Sequence, residues 1–264
     1  MIILQGLTQT FNKDTASEKQ VIKSIDLHVN SGDFITVIGS NGAGKTTLFN
    51  LIAGALSPSS GKIMIRGNDV TPLPEYLRAK NIGRIFQDPL AGTASNMTLE
   101  DNMMITCKKG FKWPVISLNK RMRQFFQKEV TQLDMGLESR MKENVNTLSG
   151  GQRQALTLLM TVLSHPDILL LDEHTAALDP RNAAMVMDLT RRFIAEKKLT
   201  SLMITHNMGH AIEFGNRLIM MDGGEIIIDV KGETKKSLTI PKLIDMFGSI
   251  RNKTFENDEV LLTT

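Results

Sequence analysis

One stretch constrains the fold more than anything else in the chain: Gly39-Ser40-Asn41-Gly42-Ala43-Gly44-Lys45-Thr46, with the spacing G-x-x-x-x-G-K-T. Glycine tolerates positive φ, so successive backbone N–H groups from Gly39 to Lys45 can converge on an anion. Lys45 adds a point charge, and the Thr46 hydroxyl can ligate Mg²⁺. Just before the loop, Asp33-Phe34-Ile35-Thr36-Val37-Ile38 is a short, mostly apolar, β-branched run of the kind expected of a buried strand. Just after it, residues 47–53, opening with Thr47, carry Leu48, Leu51 and Ile52 at helical spacing. Such a helix would turn the positive end of its dipole toward the same anion. Strand, glycine loop and helix together predict a cradle for the β- and γ-phosphates of a nucleoside triphosphate. The competing reading, a flexible surface glycine loop, has no use for that flanking pattern.

Two further clusters fit the same chemistry. Ile168-Leu169-Leu170-Leu171 is a continuous apolar run that ends in Asp172-Glu173. It reads as a strand covered on both faces with its polar residues at the carboxyl end, where open α/β sheets bind ligands. Asp172 is a candidate Mg²⁺ ligand, and Glu173 a candidate general base for the attacking water. Leu148-Ser149-Gly150-Gly151-Gln152 then opens a helix whose Leu156, Leu159, Met160 and Leu163 follow a 3.6-residue period. A serine and two glycines at a helix start leave N–H groups and a hydroxyl facing outward, a second anion site, although Ser149 is also an ordinary N-cap. The first loop already surrounds the phosphates, so the second most simply meets a nucleotide held by another copy.

These motifs together resemble the ATP-binding subunit of an ABC transporter, and the match runs to about residue 230 with every motif in the family's order and spacing. The resemblance implies an α/β fold. It has a P-loop NTPase core with a mainly parallel sheet, an N-terminal antiparallel β subdomain and an inserted α-helical subdomain. It implies ATP and Mg²⁺ as ligands, held by residues 39–47 of one chain and by Ser149, Gly150, Gly151 and Gln152 of a second. Gln87, in Phe86-Gln87-Asp88-Pro89, matches the glutamine that senses Mg²⁺ and water. Ala177-Leu178-Asp179 matches the loop that crosses the dimer interface, and Asp179-Pro180 also suits the N-cap and first turn of a helix. His206 matches the histidine that contacts the γ-phosphate. Phe11 stands where the family stacks an aromatic ring on adenine, usually a tyrosine. His174 replaces a frequent proline and receives no catalytic role.

Further expectations follow from the resemblance. Residues 1–87 and 148–230 would form the nucleotide-binding core, 88–147 a helical subdomain ending in the signature motif, and 231–264 a short tail with one helix over 240–247. That tail is too short for an appended regulatory domain. Strands are expected at 2–7, 21–29, 61–67, 82–85 and 202–205, and helices at 98–105 and 120–133. The motifs occur once, so two copies are needed for two ATP sites. Partners implied are integral membrane permease subunits and, through them, an extracytoplasmic substrate-binding protein, with the chain at the cytoplasmic face of the membrane. Residues 172–180 with Thr205-His206-Asn207-Met208 resemble a bacterial branch linked to uptake of amino acids, including tryptophan and tyrosine. An exporter ATPase is one alternative. A soluble ATPase acting on ribosomes or DNA is another, but relatives of that kind carry two cassettes or long coiled-coil insertions.

Composition excludes little beyond this. A net charge of +3 with scattered basic residues gives no case for nucleic acid. The single cysteine, Cys107, cannot form an internal disulfide. No apolar run approaches the roughly 20 residues needed to span a bilayer, and no charged-then-apolar leader opens the chain. The histidines lack metal-ligand spacing, and the 16 methionines read as adaptable packing.

Overall fold

The computed structural model describes residues 1–107 and 118–249. The Lys108-Lys109 pair and the polar end of the tail lie outside the described residues. The chain begins with β1 (Ile2–Phe11) and β2 (Lys19–Val29), antiparallel partners in the register Ile2↔Val29. β1 runs beyond the expected 2–7. Gly6 breaks the alternation, but a bulge there, with Gly6 at φ 54°, lets the strand resume with Leu7 facing inward. β3 (Phe34–Gly39) is followed by α1 (Lys45–Ala53), which stops at Gly54 in the left-handed conformation. β4 (Ser60–Ile65) turns through Arg66 and Gly67, both at positive φ, into β5 (Asn68–Asp69), the hairpin geometry that suits twisted strands. Next come α2 (Glu75–Arg78) and β6 (Ile82–Ile85). α3 (Leu99–Cys107), α4 (Lys120–Thr131) and α5 (Gly150–Leu163) follow, with no extended strand between them among the described residues. The alternation then returns: β7 (Ile168–Asp172), α6 (Pro180–Lys197), β8 (Thr200–Ile204), α7 (Met208–Glu213), β9 (Arg217–Asp222) and β10 (Glu225–Lys231). α8 (Gly232–Lys236) and a last helix over residues 240–249, α9, complete the described chain.

The chain divides into two compact units. The first holds residues 1–74 and the chain from 202 onward. It contains the antiparallel sheet β2-β1-β4-β5, and β3 paired in parallel with β9, from Ile35↔Arg217 to Gly39↔Met221. β10 returns antiparallel along β9. Arg217 is anchored here: its Nε donates to Asp229 Oδ1 at 2.7 Å and its Nη1 to the His28 carbonyl at 2.6 Å. The Asp229 carboxylate raises the Arg217 pKa further above its ordinary value, so the side chain keeps its charge. The segment after β10 is more integrated than its polar composition suggests. Leu238 and Leu243 are buried against Ile38, Leu218 and Met220, with Met246 and Phe247 packed alongside.

The second unit, residues 75–201, contains β6 paired in parallel with β7, Ile82↔Ile168 through Ile85↔Leu171. Every residue of β7 is buried, as the unbroken apolar run requires. α3, α4 and α5 pack on one another, and Phe126 and Val130 on α4 and Leu156 and Leu159 on α5 are buried. Among the described residues no helix is long and apolar enough to cross a membrane.

Candidate nucleotide site

In the first unit, β3 delivers the chain into the glycine loop and α1 carries it away. Gly39, Gly42 and Gly44 adopt φ values of 151°, 81° and 95°. A Cβ on Gly39 would fall 2.0 Å from the Met221 carbonyl oxygen, and one on Gly44 would fall 2.9 Å from the Val21 oxygen. Both positions therefore need glycine for close backbone approach as well as for φ. Gly42 faces open space, with no atom within 4 Å of its would-be Cβ. The result is a loop pressed against β9 on one side and open on the other.

Lys45 is only 6% exposed, and its ammonium turns back into the loop, donating to Gly39 O at 2.8 Å and Ser40 O at 2.9 Å. Both of these acceptors are uncharged carbonyls, and an anionic oxygen in the loop would be a stronger acceptor than either. The α1 N-terminus is capped by Gly44 with no side-chain hydrogen bond and carries no acid in its first turn. Within α1 itself no side-chain cap or acid competes for the positive end of its dipole. Thr46 is exposed and Thr47 half-buried beside it, while Ala43 is buried beneath the loop. Asn41 is exposed. Ser40 donates its hydroxyl to Asp222 Oδ1 at 2.6 Å, so the last residue of β9 helps to hold the loop. Nothing in the sequence pairs residues 182 positions apart, and Asp222 escaped the sequence reading for that reason. Also in this unit, half-buried Phe11 closes β1 opposite Lys19, and His206 lies exposed just after β8, ahead of the Asn207 cap of α7.

The second unit holds the carboxylates and the signature segment. Asp172 ends β7 with 12% of its side chain exposed and meets Arg84 of neighbouring β6, Nη2 to Oδ2 at 3.4 Å. Arg84 also lies over the Phe86 ring, its guanidinium carbon 4.6 Å from the centroid. In the sequence, the one signal for Arg84 is a lone cation inside the strand Ile82-Gly83-Arg84-Ile85. Glu173 is half-buried at φ 48°, a left-handed backbone that non-glycine residues seldom adopt and that clusters at functional sites. Gln87 is exposed in the turn that leaves β6. His174, for which no role was predicted, is 2% exposed, with its Nε2 3.0 Å from Thr190 Oγ1 on α6.

Ser149 caps α5 in a reciprocal box: its hydroxyl oxygen accepts from the Gln152 N–H at 3.3 Å, and its own N–H donates to Gln152 Oε1 at 3.1 Å. The hydroxyl proton of Ser149 remains to be donated outward. Gly150 is exposed with only Leu178 Cδ2 near its would-be Cβ, at 3.4 Å. Gly151 is buried, and a Cβ there would sit 2.6 Å from Asn182 Cγ on α6. Asp179 caps α6, accepting from the Asn182 N–H at 3.1 Å and from its amide at 2.6 Å. These two bonds, backbone first, hold its carboxyl below the usual range. Among the described residues no group of three or more His, Cys, Asp or Glu side chains could hold a metal ion.

Comparison with known proteins decides what the loop and signature belong to. A family model described as "ABC transporter" matches residues 22–176, more than half of the chain. The chain belongs to the ABC transporter family. It is 38% identical over 250 residues to a tyrosine transport ATP-binding protein of Clostridioides difficile, an alignment covering 94% of this chain and 98% of that one. It is 36% identical over 219 residues to a methionine import ATP-binding protein of Enterococcus faecalis, covering 82% of this chain and 61% of that one. A dimeric ATP-binding cassette solved in a post-hydrolysis state with ADP and Pi superposes with a TM-score of 0.72 at 25% identity, over 88% of this chain and 98% of that one. The resemblance read from the motifs and the α/β P-loop NTPase fold are thereby borne out. The chain is an ATP-binding subunit of an ABC transporter, and cassettes of this family are ATPases coupled to transport. They dimerise and work with membrane permease subunits.

Proposed function

We propose that the subunit hydrolyses Mg²⁺-bound ATP in sites shared between two copies and thereby powers import of amino acids, with aromatic side chains the favoured class. The open, glycine-lined loop around the Lys45 ammonium is the observation that carries the nucleotide half of this reading. Residues 39–47 cradle the phosphates of one chain's ATP, and Phe11 stacks on its base. Ser149, Gly150, Gly151 and Gln152 of the other chain close over the γ-phosphate, with Asp179 at the crossing. The Thr46 hydroxyl, the Gln87 amide oxygen and the Asp172 carboxylate are all hard oxygen donors, and that donor set fits Mg²⁺, which would neutralise charge on the β- and γ-oxygens. Arg84, 3.4 Å from Asp172 Oδ2, is a countercharge already beside that carboxylate. Glu173 accepts the proton of the attacking water as the new O–P bond forms and the bond to the β–γ bridging oxygen breaks, leaving ADP and phosphate. His206 donates to the γ-phosphate, and Gln87 orients the water. Residues 1–87 and 148–230 act as the core and 88–147 as the arm that passes the motion to permease subunits at the cytoplasmic face.

The cargo rests on likeness. The tyrosine transport relative, aligned nearly end to end, supports an aromatic amino acid over the other imported solutes. Selection itself would lie in the permease and an extracytoplasmic binding protein. Uptake of labelled tyrosine, tryptophan and methionine in cells lacking this chain tests the proposal. Loss of aromatic uptake, restored by the native chain but not by Glu173→Gln, is expected. Unchanged uptake of all three would overturn the cargo assignment, and co-purification with ribosomes in place of a permease would overturn transport.

A further inference from the structure

Gln154 sits in the second turn of α5, 1% exposed, in a helix whose Ala155, Leu158 and Leu159 are also buried. Its side-chain nitrogen donates to two backbone carbonyls from different segments: His174 O at 2.7 Å and Phe86 O at 3.1 Å. Carbonyl oxygens only accept, so the orientation of the amide is fixed by its partners: the NH₂ faces both loops. Gln154 Oε1 is left buried without a hydrogen-bond partner. A half-satisfied buried amide is a poor way to stabilise a core that a leucine would fill, because the orphaned acceptor carries a desolvation cost. Placement is what the amide supplies.

The two carbonyls are informative. Phe86 directly precedes Gln87, and His174 directly follows Glu173. β6 and β7 run in parallel, with Ile85↔Leu171 their last pair, so both loops leave the same end of the strands. One NH₂ group ties them together and ties both to α5, the helix whose first turn carries Ser149 and Gly150. The loop after β7 is held from its far side as well, by His174 against Thr190, and it contains the left-handed Glu173. Resting on the functional reading above, we infer that Gln154 is a positioning residue that sets the spacing of the Glu173 and Gln87 loops and links it to the signature helix. Lys45 and its loop lie outside this tether, so it acts on the chemical step and leaves nucleotide capture alone.

The test uses the full-length subunit in its permease complex with three variants: Gln154→Met keeps volume without donors, Gln154→Glu sets an acceptor against two carbonyls, and Gln154→Asn keeps the donors on a shorter arm. Losing two buried hydrogen bonds predicts a kcat about 10- to 100-fold lower for Met, with ATP affinity and KM within about twofold of native. Glu should be worse than Met, and Asn should recover part of the loss. Hydrogen exchange should rise at the amides of residues 86–90 and 173–177 while α5 stays protected. A native kcat in the Met variant, or a raised KM at unchanged kcat, would overturn the inference. So would loss of protection throughout the unit in Asn as well as Met, which marks a merely structural amide. The exchange result does not depend on Glu173 being the base. Full turnover in Glu173→Gln with loosened loops in Gln154→Met would sink the functional reading and leave the tether standing.

Discussion

If the nucleotide is shared between copies, damage to the glycine loop and damage to the signature should complement each other, and the structure dictates where the signature may be damaged. Gly151 is the wrong choice: a side chain there meets Asn182 of its own chain at 2.6 Å, so any loss would mix steric distortion with the intended effect. Gly150 is exposed and has only the flexible end of Leu178 nearby, at 3.4 Å. Gly150→Asp therefore aims a carboxylate outward at little internal cost. At about 4 Å from a phosphate charge, and an effective dielectric of about 20, the repulsion is about 4 kcal/mol, roughly a thousandfold in turnover. Lys45→Ala removes the loop's buried ammonium from the other half of the site. Each variant alone has two broken sites. Mixed in equal amounts, random pairing makes about half of the dimers mixed, each with one intact site, for a ceiling near one quarter of native ATPase activity. The assay is ATP hydrolysis across a titration of the two variants after exchange with the permease complex. Activity peaking near equal proportions is expected; a rate that stays at the level of the weaker variant at every ratio would refute the shared-site reasoning. Gly150→Asp alone must still bind ATP, and loss of that binding would count equally against it.

Glu173→Gln should bind ATP with native affinity yet hydrolyse it about 10³-fold more slowly, accumulating an ATP-held dimer by size-exclusion chromatography. Gly39→Ala should abolish ATP binding with the circular dichroism spectrum retained, because its Cβ would lie 2.0 Å from Met221 O and push the loop away from β9. Burial lowers the Lys235 pKa, where its ammonium donates to the Ile212 and Phe214 carbonyls. Across the window between that lowered pKa and about 10.5, the unfolded chain binds more protons than the folded one, so this group adds stability as pH rises. Urea midpoints should accordingly climb less steeply with pH in Lys235→Met than in the native chain, and identical slopes would contradict the assignment.

What the sequence made legible was whatever is local in the chain. The loop at 39–46, the apolar run that becomes β7, the Ser149 cap and the Asp179-Pro180 start of α6 each depend on neighbours within a turn or two, and each formed as its own residues dictate. The contacts that hold those pieces for chemistry span distances no local pattern encodes. Ser40 reaches Asp222 across 182 positions, Arg84 reaches Asp172 across 88, and Gln154 reaches Phe86 across 68. Only Arg84 left a faint trace, a charged residue inside a strand that is otherwise apolar; Ser40 and Gln154 lie among other polar residues and left none. The end of the described chain is hard to read for a different reason. Lys231, Lys235 and Lys236 make it read as solvent-facing, yet Leu238 and Leu243 are buried in the core beside β3 and β9, and Lys235 caps the carbonyls that end α7. Two leucines five apart carry too little periodicity to announce their burial beside three lysines, because the place of this segment is set by tertiary packing. That packing puts Leu238 and α9 in one apolar cluster with Ala211 and Ile212 of α7, the helix that follows His206, so the segment supports α7.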